Sequence, residues 1–191
     1  MDEKKIALDK TAYEIFLKNG YKNTNIAEIS KKAGISVGAF YKYYDSKEDI
    51  FVDIYIRENE SMRSKLLNKM NWKLQPLEVM TELFQYIEKN MLNNKILAEW
   101  NNPKLNDKLR NYYLSEEGIR NNSFHQFILS YIKKYLVELG YQEDEIAKII
   151  RVYEMTYFID CNVTEEEFAG KNETLKVMLN YFIQGVLQDK S

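Results

Sequence analysis

The chain has 191 residues, a formal net charge of -2, 45 % hydrophobic and 29 % charged residues, the balance of a globular chain rather than a disordered one. Two prolines and seven glycines argue against a sandwich or barrel, which needs a turn roughly every 8–12 residues. One cysteine and one histidine exclude an internal disulfide framework, a cysteine zinc site and His-pair metal motifs, and no apolar run approaches the ~18–20 residues of a membrane span.

Helical periodicity recurs along the whole chain. Leu8, Ala12, Ile15 and Phe16 share one face of a first helix that Gly20 stops. Asn25 with Glu28 reads as a cap for a short helix carrying Ile26, Ile29 and Ala33 inward and ending at Gly34. Ser36 caps the next short helix, predicted to run to Tyr44. Ser46 and Asp49 open a long helix reaching about Met70. Trp72 to Gln75 reads as a connection, and Pro76 suits the first turn of a helix. A short piece with Ile96, Leu97 and Trp100 precedes Pro103 and a polar helix with Leu105, Leu109 and Tyr112. One helix is predicted from about Ile119 to Leu139 with Gly140 after it. Two long helices follow, over 143–160 and 172–188, separated by the acidic turn Thr164–Gly170. The expected fold class is all-α, with about nine helices and no convincing strand.

The charge is unevenly placed. Residues 18–47 hold six lysines (18, 22, 31, 32, 42 and 47) against Glu28 and Asp45. Such a window reads as a solvated lysine face or as a focused footprint for a polyanion. The two short helices on either side of Ala33-Gly34-Ile35-Ser36 form a helix-turn-helix pattern. Gly34 permits the sharp reversal because it tolerates positive φ. The second helix is too short to be stable alone, so its neighbours must hold one side and leave the other free. That free side offers Val37, Gly38, Tyr41 and Lys42, small and polar enough for a major groove.

The segment from Leu8 to Phe51 resembles the N-terminal domain of the tetracycline-repressor (TetR) family. The matching residues are Phe16, Gly20-Tyr21, Thr24, Ile26 and Ile29, then Ala33-Gly34-Ile35-Ser36-x-Gly38-x-Phe40-Tyr41-x-Tyr43-Tyr44-x-Ser46-Lys47-Glu48. Ser30 stands where Ala is common in the family, Asp45 where Pro is common, and Val37 where Lys, Arg or Thr is frequent. The resemblance implies phosphate contacts from Tyr41 and Lys47. It implies backbone or hydroxyl contacts from Thr24 and Asn25, and a groove-facing set of Ser36, Val37, Gly38, Ala39 and Lys42. No arginine precedes Arg57, so the usual bidentate guanine reader is missing from this helix and A·T-rich contact positions are expected.

The resemblance further implies a helix-turn-helix domain over 1–48 and a helical ligand-binding and dimerisation domain over 49–191. The expected partners are a palindromic double-stranded operator, a second copy held through the last two long helices, and a small-molecule inducer. Those two helices carry apolar residues on more than one side, as helices with partners on two faces do. The aromatic-rich middle helices suggest Phe84, Trp100, Tyr112, Phe127, Tyr131, Tyr153 and Tyr157 as lining for an apolar or aromatic ligand, or as plain core. His125 reads as pocket lining or as a hydrogen-bonded helix residue. The expected function is a cytoplasmic, ligand-responsive repressor, with no catalytic residues, metal or cofactor. The alternative is a DNA-bound architectural or protein-partner regulator without an inducer.

Overall fold

The computed structural model describes residues 2–189. These form ten α-helices, one 3-10 turn over Leu97–Asn101, and no strand: α1 Glu3–Asn19, α2 Ile26–Lys32, α3 Val37–Phe40, α4 Lys47–Lys69, α5 Pro76–Asn93, α6 Pro103–Leu114, α7 Glu116–Asn121, α8 Ser123–Glu138, α9 Glu143–Asn162 and α10 Lys171–Gln188. The all-α expectation holds. Two differences from it have local causes. The predicted helix over 119–139 is divided, because Asn122 leaves the helical conformation (ψ 84°) and turns its side chain to cap α8 at the His125 N–H. The second helix of the helix-turn-helix is a single α-turn, Val37–Phe40, continued by the turn Tyr41–Tyr43.

The chain divides into two compact units, residues 1–65 with 85–109, and residues 66–84 with 110–191. It passes from one to the other inside α4, inside α5 and inside α6.

The first unit is built around Leu8, Ala12 and Phe16 of α1, Ile29 of α2, Phe40 of α3, and Ile50, Phe51 and Ile54 of α4, all buried. Phe16 and Tyr21 both meet Phe51 edge-on, at centroid distances of 4.8 and 5.1 Å. Each such side chain contributes roughly 1.5–3 kcal/mol by leaving water. The short helices are held by their caps as well as by this core. Asn25 Oδ1 accepts the Glu28 N–H at 2.9 Å and Ser36 Oγ accepts the Ala39 N–H at 3.1 Å, each worth about 1 kcal/mol. Gly34 takes φ +70° between them, the left-handed conformation the reversal requires.

In the second unit Leu136, Tyr141 and Ile146 form a core with Ile132, Leu139, Ile149, Ile150 and Val186 packed against it. Gly118 is required by space: a Cβ there would lie 1.9 Å from the Tyr112 carbonyl oxygen. The acidic turn before α10 satisfies backbone donors. Glu165 accepts from the N–H groups of Gly170 and Asn172, and Glu167 from that of Thr164. Among the described residues no helix is long and apolar enough to cross a membrane, and no group of acidic, His and Cys side chains could hold a metal ion.

Candidate nucleic-acid interface

The helix-turn-helix buries one side and frees the other, as its sequence requires. Ile29, Ser30 and Phe40 are buried, while Ser36, Val37, Gly38, Tyr41 and Lys42 are exposed and Ala39 is half-buried. Tyr41 is 53 % and Val37 43 % exposed, so both side chains are open to a partner on this face. Asn25 is exposed beside Lys22 and Asn23. Its side-chain oxygen is committed to the α2 cap.

Two of the expected contact residues face inward instead. Thr24 is 3 % exposed and its hydroxyl donates to the Gly20 carbonyl at 2.8 Å. Lys47 sends its ammonium to the carbonyls of Tyr21 and Thr24, both at 2.9 Å, and holds it 4.0 Å from the centre of the Tyr21 ring. Burial pulls that ammonium below the ordinary lysine value, with the Lys104 charge adding to the shift and Glu48 and Glu99 opposing it. Glu48, next along α4, accepts the Tyr21 hydroxyl. This hydrogen bond holds the Glu48 carboxyl below its usual range. Burial first, and then Glu48, push the Tyr21 hydroxyl far above its own. The first turn of α4 thus grips the α1–α2 connection from two side chains.

Tyr43 and Tyr44 point back to α1. The Tyr43 hydroxyl donates to the Asp2 carboxylate at 2.5 Å. Tyr44 sits in a charged network with Lys5 and Asp9 of α1 and Asp53 of α4, and Arg57 reaches both carboxylates at 3.3 Å. Sequence reading missed this network because its directly bonded pairs lie up to 48 positions apart.

The seven candidate ligand residues separate into groups. Trp100 belongs to the first unit, stacked on the buried Tyr55 at 6.0 Å. In the second unit Phe127 and Tyr131 lie one turn apart on α8 and flank Trp72, at 4.6 and 5.3 Å, with Tyr135 stacked beyond at 6.4 Å. The Tyr131 hydroxyl is buried without a hydrogen-bond partner, and burial raises it above the usual phenol range. Trp72 escaped prediction because it lies in a connection. Its indole N–H caps the Leu67 carbonyl at 3.0 Å, which turns the ring inward.

Tyr153 and Tyr157 meet at His125, which is 5 % exposed. Its Nδ1 lies 3.1 Å from the Tyr153 hydroxyl, and its ring lies 4.6 Å from that of Tyr157. The Tyr157 hydroxyl accepts from Asn122 at 3.2 Å. Phe84 lies under the Lys176 ammonium, and Tyr112 packs edge-on against Tyr113.

On α9 and α10 a different surface is uncovered. Met155, Phe158, Val177, Met178 and Tyr181 are each about half exposed or more.

Residues 10–54 match the family model described as bacterial regulatory proteins, tetR family. An uncharacterised HTH-type transcriptional regulator of Bacillus subtilis, YuxN, is 35 % identical over 68 residues, 36 % of this chain and 23 % of its own length. The fatty acid metabolism regulator protein of the same organism is 36 % identical over 44 residues, 23 % of either chain. The chain thus spans about a quarter of the length of these curated relatives. The solved structure of Thermus thermophilus FadR, a TetR family transcriptional repressor in complex with lauroyl-CoA, shares the fold. It is 21 % identical, with a TM-score of 0.55, over 95 % of this chain and 92 % of that one.

Proposed function

We propose that this chain, which belongs through residues 10–54 to the tetR family of bacterial regulatory proteins, is a cytoplasmic transcriptional repressor that reads a palindromic operator as a homodimer and releases it when a small molecule binds. The observation that carries the reading is the exposed set Ser36, Val37, Gly38, Tyr41 and Lys42 on a helix-turn-helix that buries Ile29, Ser30 and Phe40. Ser36, Val37, Gly38, Ala39 and Lys42 face the groove, Tyr41 and Asn25 flank it on the phosphates, and Thr24 and Lys47 brace the α1–α2 connection behind them. Reading stops near residue 48, and residues 49–191 bind ligand and dimerise.

One such helix makes few contacts, so a two-fold dimer on a palindrome is the physical expectation. The uncovered apolar residues of α9 and α10 are the surface we assign to that dimer. The ligand is apolar or aromatic. We assign it to the second unit, against Phe127 and Tyr131 with Trp72, and Tyr153 and Tyr157 with His125, with Phe84 and Tyr112 as further lining. The orphaned Tyr131 hydroxyl would give an acceptor on the ligand its hydrogen bond. A ligand acts by preferring one spacing of the two recognition helices, and it can shift the equilibrium only by that difference in affinity.

Two experiments test this. A mobility shift with promoter fragments should show a retarded species in the wild type that a Tyr41→Ala, Lys42→Ala double variant loses; equal retardation would remove the DNA face from this surface. With Trp100→Phe, Trp72 is the only tryptophan left. Titration with an acyl-CoA, a ligand class held by the Thermus protein, should change its emission and lower operator affinity together. A chain that answers no apolar or aromatic ligand in either readout loses its inducer.

A further inference from the structure

Five carbonyls at the end of α1 and in the connection after it, those of Lys18, Asn19, Gly20, Tyr21 and Thr24, are taken up by side chains. Lys95 Nζ reaches the Lys18 carbonyl at 2.6 Å across 77 positions of sequence. Asn23 Nδ2 takes that of Asn19, the Thr24 hydroxyl that of Gly20, and Lys47 those of Tyr21 and Thr24. The last carbonyls of a helix lack intrahelical donors and form its negative end, so ammonium groups are favoured there.

We infer that Lys95 is a positioning residue for operator reading: its ammonium fixes the end of α1 and, together with Lys47, the short connection that delivers Asn25 and α2. The inference rests on the reading of α2 and α3 as the DNA-binding elements. Lys95 is well placed for this because its own segment is anchored within the same unit. Asn94 donates to Glu58 at 2.7 Å, Trp100 stacks on Tyr55, and Lys108 pairs with Asp49. The connection is only six residues long, from Gly20 to Asn25. A displaced α1 terminus therefore reaches the α2 cap directly, and with it the packing of Ile29 and Phe40 that seats the groove-facing turn. Lys95 itself is exposed, beside an open cleft of about 290 Å³ lined by Asn19, Gly20, Lys22, Asn23, Ala98 and Glu99. Replacing it leaves no hole in the core.

A phosphate contact, a stability determinant and a positioning residue give different binding curves. Wild type, Lys95→Met and Lys95→Arg are titrated against the selected operator and a random duplex over a series of salt concentrations, with melting curves alongside. Lys95→Met is expected to bind the operator about tenfold more weakly, the loss of one charge-assisted hydrogen bond. Its affinity for random duplex and its salt slope stay unchanged, and Lys95→Arg restores operator binding. Equal loss on both duplexes, or a salt slope smaller by about 0.9 per subunit, would make Lys95 a stability or phosphate residue and overturn the inference. Undiminished operator binding by Lys95→Met, or no rescue by Lys95→Arg, would overturn it as well. A wild-type chain that selects no operator overturns the DNA reading and this inference together, and its own curve distinguishes that case.

Discussion

The Tyr44 hydroxyl lies 2.6 Å from Oδ2 of Asp53. The Tyr44 phenol oxygen is also 2.8 Å from Oδ1 of Asp9 and 2.8 Å from the Lys5 ammonium, so one phenol joins α1, the end of the recognition turn and α4. Burial first, and then the two carboxylates, push this hydroxyl far above its ordinary value of 10.0. A phenol raised in the folded state stabilises the fold below its unfolded pKa and loses that contribution as the pH climbs through the folded one. Tyr21, raised by burial and Glu48, acts in the same direction. The helix-turn-helix unit is therefore expected to lose stability above about pH 10. Tyr44→Phe should cost about 1–2 kcal/mol at neutral pH and make the alkaline loss shallower. Equal alkaline loss in the two proteins, followed by melting, would contradict the role given to Tyr44.

At the acid end the sign reverses. Glu48 is held below its ordinary 4.5 by the Tyr21 hydroxyl, so its contribution is present above that value and is lost as the pH falls through the depressed one. Tyr21→Phe should therefore flatten the acid limb of stability below about pH 4.5. An acid limb unchanged by this variant would contradict it.

Ser30 offers a stabilising change. It is 1 % exposed on α2 and its hydroxyl finds no partner. Ser30→Ala removes an unsatisfied buried donor and adds helix propensity, so a gain of about 1 kcal/mol is expected. That corresponds to roughly 2–4 °C in melting temperature for a chain of this size. A lower melting temperature would mean that the hydroxyl is satisfied in solution.

Much of this was legible from local pattern. Asn25 and Ser36 cap the two short helices, Gly34 takes the positive φ of the reversal, and Gly140 follows α8 with φ +85°, because caps and turns are decided by neighbours within a few positions. The free side of the recognition turn followed from which residues its partners must bury. The inward roles of Thr24 and Lys47 did not, since a lysine in a basic window looks the same whether it meets a phosphate or a backbone carbonyl. The Lys95–Lys18 contact and the Tyr44 network join distant segments and leave no periodic trace. Trp72 sits in a connection, where apolar spacing says nothing about burial.

The α9–α10 surface makes its own prediction. Phe158 and Tyr181 are 56 % and 69 % exposed. A Phe158→Glu, Tyr181→Glu variant should sediment as a folded monomer and bind the operator at least roughly 100-fold more weakly, through the loss of two-site binding. A dimer that survives this change would place the interface elsewhere.

Val37 bears on sequence preference. It is exposed where a groove-facing side chain is expected and offers methyl groups to thymine, with no arginine nearby in sequence to read guanine. The selected site should carry A·T pairs at the positions this helix touches. Val37→Arg should draw a guanine to one of them, a discrimination of about 1–3 kcal/mol. G·C pairs throughout the wild-type contact positions would contradict the assignment.

The most direct test of a dimeric operator-binding regulator is selection from the genome itself. Protein freed of bound ligand by denaturation and refolding is mixed with fragmented host DNA at near-physiological salt, and the retained fragments are sequenced. The account predicts one palindromic site near a few promoters, its half-sites about 34–36 Å apart or a multiple of that. Retention of random fragments, or of none, by the stripped protein would contradict it.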